Sequence, residues 1–169
     1  MTVNRTAGVL ALAFLLAGCT TTPAPPSLAV TVISGAELPP FPDAAGAKYH
    51  NSRSLCDAVA AQPVKGFTPT KMSVGPGSDT SSLLCIVSDD SDHDILVSAT
   101  VGDAPTASTG FEHSALGGSP VSGIGDRAYQ TSSDHPLLYV LREANYYVVA
   151  THVYGDNVAI EKEIALAVV

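Results

Sequence analysis

Residues 137–153, LLYVLREANYYVVATHV, decide the fold. Leu137, Tyr139 and Leu141 alternate on one face, and Tyr147, Val149, Thr151 and Val153 alternate opposite them. Period-two spacing is the signature of a strand with distinct faces. The polar Arg142-Glu143-Ala144-Asn145 between the two runs makes them a hairpin.

Upstream, Ser82 to Ser88 (SLLCIVS) and Ile95 to Val101 (ILVSATV) form a second hairpin across the polar turn Asp89–Asp94. Residues 67–75 read as a short strand, ended by Pro76-Gly77-Ser78-Asp79, and Arg127 to Thr131 as another. Asn51 or Ser52 can cap a helix running to about Ala61, in which Leu55, Cys56, Val59 and Ala60 form one apolar stripe. A closing helix from about Asn157 carries Val158, Ile160, Ile164, Ala165 and Val168. Residues 102–125 are a long Gly/Ser/Pro-rich connection with a helical turn over Phe111 to Leu116. Strands joined by short turns and flanked by helices predict an α+β fold. It is an antiparallel β-sheet with an N-terminal and a C-terminal helix packed on one or both of its faces.

The chain opens differently. Arg5 precedes an apolar run from Ala7 to Ala17, closed by small residues. That run falls short of the roughly 20 residues needed to span a bilayer, so residues 1–18 read as an export signal. Leu16-Ala17-Gly18-Cys19 resembles the lipobox of bacterial lipoproteins. The resemblance implies that the Cys19 thiol takes a diacylglycerol and that the signal is cut before it. Two buried acyl chains suffice for stable anchoring. The expected location is the extracytoplasmic face of the cell membrane, held by lipid.

Residues 19–45 read as the lipidated cysteine and a Thr/Pro-rich tether, and 46–169 as one globular domain. Leu28 to Ile33 (LAVTVI) is either a first strand or more tether. Eight Lys/Arg against sixteen Asp/Glu give a net charge of −8, which disfavours nucleic acid as a partner because its phosphates require a basic footprint.

Beyond Cys19, Cys56 and Cys85 remain, an even pair in an exported chain, and are read as a disulfide. Their spacing is not CxxC, and two lone thiols make a poor zinc site. An early helix with a cysteine, a later strand with a second one, the turn Gly123-Ile124-Gly125-Asp126-Arg127-Ala128, a hairpin and a closing helix together resemble a family of actinobacterial envelope lipoproteins of unknown function. A proline more typically stands near the helical cysteine of that family, and here none does. The resemblance implies a PsbP-like or related α+β sandwich and no particular activity.

No motif names a reaction. Gly123-x-Gly125-x-x-Ala128, with Glu143 beyond it, matches a dinucleotide fingerprint in letters only, since no strand precedes it and no helix start follows. Asp89-Asp90-Ser91-Asp92-His93-Asp94 lacks the glycine and terminal glutamate of an EF-hand. It reads as a turn, with weak metal binding left open. His50, His93, His113, His135 and His152 are scattered, and no serine sits in GxSxG, Ser119 included. Tyr129, Tyr139, Tyr146, Tyr147 and Tyr154 could line an amphipathic groove, but alternation already divides such residues between core and solvent. The expectation is a non-enzymatic, lipid-anchored envelope domain, without cofactor or resident metal, that binds a protein, lipid or cell-wall partner. An envelope hydrolase with an unrecognised Ser/His/Asp site is the alternative, and a purely structural envelope lipoprotein is the third reading.

Overall fold

The structure is a computed structural model, and it describes residues 29–32, 47–76, 82–101, 104–152 and 157–169. The strands are β1 (Ala29–Val32), β2 (Lys71–Pro76), β3 (Ser82–Ser88), β4 (Asp94–Val101), β5 (Ser119–Val121), β6 (Arg127–Gln130), β7 (Leu137–Arg142) and β8 (Asn145–His152). The helices are α1 (Ser52–Ala60), α2 (Ala104–Ser114) and α3 (Asn157–Val168). All strands join one sheet in the order β1-β2-β3-β4-β8-β7-β6-β5. Every neighbouring pair from β2 to β5 is antiparallel. β1 adds a parallel edge strand beside β2, so LAVTVI takes the strand reading over these four residues. Two successive antiparallel sets meet at the centre, where β4 and β8 pair in full register from Asp94↔His152 to Val101↔Asn145.

One face of the sheet carries α1 and α3. Asn51, extended at φ −161°, accepts the Ser54 N–H through its side chain at 2.8 Å and so caps α1. Leu55, Cys56 and Val59 of α1 meet Ile164, Ala165 and Val168 of α3 over the inward rows of the sheet. Ser52, also buried, donates to Gly75 O at 2.8 Å and accepts from Leu84 N at 3.3 Å, fixing the start of α1 across β2 and β3. The expected disulfide joins Cys56 on α1 to Cys85 on β3, with Cα atoms 5.2 Å apart. Closing a loop of 29 residues is worth about 3.5 kcal/mol in the chain-entropy account.

The opposite face carries α2. A helical turn over Phe111 to Leu116 understates this segment: the helix has 11 residues and begins at Ala104. Ala107, Phe111 and Ala115, four residues apart, bury a narrow strip against Leu141 and Tyr146. Leu137, Tyr139 and Leu141 share this face with Val148 and Tyr146, whereas Tyr147 and Val149 stand across from Val140 and Leu138 in the main core. Both faces of the hairpin are therefore apolar because both are covered. Among the described residues, no helix is long and apolar enough to cross a membrane.

Candidate functional site

The β7–β8 hairpin closes on a two-residue turn, Glu143-Ala144, with Arg142 opposite Asn145. Glu143 lies in the left-handed region at φ +53°, an uncommon conformation for a non-glycine residue. Asp126 holds it there: its Oδ2 accepts the Glu143 N–H at 2.7 Å, while its own N–H donates to Leu141 O at 2.8 Å. Gly125 must stand beside β7 for this to happen. A Cβ on it would lie 2.6 Å from both Leu141 O and Val140 Cγ1, at a φ of +57°. The glycines of the 123–128 turn thus clamp a hairpin tip, and the residues after them form β6, not a phosphate-binding helix.

The clamped tip forms one wall of a pocket. Lys48, Arg142, Glu143, Asn145, Tyr147 and Val169 line a cavity of about 210 Å³. Lys48 comes from the segment before α1 and donates from Nζ to Val169 O at 3.1 Å, and the adjacent Tyr49 hydroxyl donates to Val168 O at 2.9 Å. These two bonds tie the entry to α1 against the end of α3. Burial lowers the Lys48 amine below its ordinary range, and the positive charge of Arg142 lowers it further. The two cations therefore feel each other across the site.

Tyr147 forms the floor. It is 2% exposed, and burial pushes its hydroxyl up to about 12. The negative forms of Tyr49 and Glu143 act in the same direction, and Arg142 opposes them. At neutral pH the hydroxyl is a fixed donor. Among the described residues it has no hydrogen-bond partner, and neither does the Arg142 guanidinium. Asn145, also buried, donates from Nδ2 to Arg142 O at 3.5 Å. Two cationic groups and a phenol facing a small cavity are equipped to hold an oxyanion.

A second polar cluster is sealed in the core. Glu161 of α3 is fully buried; its Oε2 accepts from Gln130 Nε2 at 2.6 Å and its Oε1 from Thr151 N at 3.2 Å. Burial raises this carboxyl to about 7 despite those two donors.

The residues singled out in the sequence fall elsewhere. Cys19 and the signal lie outside the described residues, as do Val153 and Tyr154. Cys56 and Cys85 are fully buried and closed to chemistry. In the acidic turn, Asp89 accepts from Ser91 N at 2.7 Å and His93 N at 3.1 Å, and its Oδ2 pairs with His93 Nδ1 at 2.8 Å. Burial pushes its carboxyl up, but these bonds outweigh burial and leave it below the usual carboxylate range. Thr70 Oγ1 donates to Asp90 Oδ1 at 2.9 Å. The cluster thus spends oxygens on its own turn, and among the described residues no group of three metal-ligating side chains forms. His135 and His152 meet edge to face at 5.6 Å, and Ser119 sits exposed on β5.

Tyr129, Tyr139 and Tyr146 do share a face, as a groove would require, but Phe111 of α2 fills it, 5.6 Å from Tyr129 and 6.1 Å from Tyr146. Arg127 caps the ring at 5.0 Å and pairs with Glu112. The pocket at the hairpin tip was not legible beforehand. Lys48 and Arg142 are far apart in sequence, and the only signal was their rarity in an acidic chain. No protein-family model, curated protein or solved structure matches this chain, so the pocket is read from its own geometry.

Proposed function

We propose that this protein is a non-enzymatic binding domain displayed at the bacterial cell envelope on a lipid attached to Cys19. The observation that carries the binding reading is the cavity at the hairpin tip. Its lining comes from three separate parts of the chain, two of which are tied together by the bonds from Lys48 and the adjacent Tyr49 to the end of α3, and no serine, cysteine or histidine is among its lining residues. A disulfide-closed sheet with helices on both faces gives that cavity a rigid frame. The Leu16-Ala17-Gly18-Cys19 stretch supports the anchor, and the resemblance to actinobacterial envelope lipoproteins supports the compartment.

Native mass spectrometry of the full chain, extracted in detergent from the membrane fraction of an expressing actinobacterium, tests both halves. The expected species begins at Cys19, carries diacylglyceryl mass and retains a small adduct. An unprocessed, unacylated chain in the soluble fraction would overturn the anchor. A chain that remains bare after exposure to envelope extract, with an unchanged melting midpoint, would overturn the binding role.

A further inference from the structure

We infer that the Lys48–Arg142–Tyr147 pocket is a binding site for the carboxylate group of a small ligand, an assignment that rests on the binding-domain reading. Three features of the geometry select this chemistry. The first is charge. Among the lining side chains two are cationic, Lys48 and Arg142, and one, Glu143, is anionic, in a chain whose overall charge is −8. A local positive patch against an acidic background is a site for a monoanion, and like-charged carboxylates elsewhere on the surface discourage polyanions from approaching.

The second feature is directionality. The Arg142 guanidinium is a planar fork of donors with no partner among the described residues, and it matches the two oxygens of a carboxylate. The Tyr147 hydroxyl, nearly withdrawn from solvent, adds a donor that stays protonated throughout the physiological range. A ligand oxygen in the pocket can accept from that hydroxyl. Lys48 keeps donors to spare after its single bond to Val169 O.

The third is size. About 210 Å³ is the room of about seven waters. That admits a carboxylate with a short organic stem. Glu143, beside Arg142 in sequence and in the lining, can receive a cationic group on that stem.

Calorimetric titration of the purified full chain at constant ionic strength tests the assignment, with acetate, propionate and inorganic phosphate as probes. Saturable carboxylate binding is expected. It should weaken about tenfold in R142Q and several-fold in Y147F, and stay unchanged in K65Q, a surface change away from the pocket. Y147F keeps the ring and its packing, so a native circular-dichroism spectrum with weakened binding assigns the effect to the hydroxyl. Tighter binding of phosphate than of either carboxylate would overturn the carboxylate assignment. No saturable binding of any probe by the natively folded chain would overturn the site. If the membrane-extracted chain nevertheless retained a neutral adduct, the binding-domain reading would stand while this one fell; if it retained none, both would fall.

Discussion

Gln130 Nε2 and Glu161 Oε2 meet at 2.6 Å inside the core, tying β6 to α3 through a carboxyl group with no exposed surface. Burial raises that carboxyl from an ordinary value of 4.5 to about 7. Because the folded state holds the proton more tightly than the unfolded chain, Glu161 contributes most below about pH 4.5, and that contribution is lost as pH rises through about 7. The stability lost across this window is on the order of 2–3 kcal/mol. Urea melts at pH 5 and pH 8 should show it, and Glu161→Gln should flatten the difference. An equal slope in the variant would assign the pH dependence to other groups.

Reducing the Cys56–Cys85 bond should lower the melting midpoint by roughly 10–15 °C, the equivalent of about 3.5 kcal/mol for a domain of this size. The bond staples α1 to β3, and both sulfurs are fully buried. Resistance to a mild reductant in the native state, followed by the drop once a denaturant admits it, would be read by scanning calorimetry and thiol labelling.

Two glycines in one turn should behave differently. Gly125→Ala puts a Cβ into the Leu141 backbone oxygen, which cannot move without opening the β6–β7 pairing, and should cost at least about 2 kcal/mol. Gly123, at φ +83° with open space around its missing Cβ, should cost only about 1 kcal/mol as alanine. Denaturant midpoints of the two variants give the comparison directly.

Phe111→Ala should release α2 from the sheet. The ring is fully buried and is the one large side chain that the helix contributes to its contact, so the loss should be about 3–5 kcal/mol. Hydrogen exchange should show protection falling first over Ala104–Ser114, with α1 and α3 protected by their separate core.

The hairpins and terminal helices were legible because their apolar residues recur at strand or helix period over a long enough run. Leu55, Cys56 and Val59 announce α1, and the alternation of 137–153 announces β7 and β8. α2 was largely hidden. Its buried strip is Ala107, Phe111 and Ala115, set among Pro105, Thr106, Ser108, Thr109 and Gly110, all weak helix formers in its interior or first turn. Packing of Phe111 against Tyr129 and Tyr146 overrides that local preference. β5 was hidden for another reason: three residues with Pro120 at their centre can pair only at a sheet edge, and that is where they lie. The pocket was invisible because no local rule brings Lys48 to Arg142; only the α3 terminus and the sheet, assembled together, do so.

The parallel pairing of β1 with β2 sets the end of the sheet at which the chain enters. Ala29 aligns with Lys71, and through Ser88 and Asp94 with His152, so the chain enters the sheet at the end that carries the acidic turn. Arg142, Glu143 and Asn145 lie at the other end, where β8 begins beside Val101. Residues 20–28 reach at most about 30 Å when fully drawn out. With Cys19 acylated as proposed, a leash of that length attaches the domain at its acidic end and leaves the pocket at the far one.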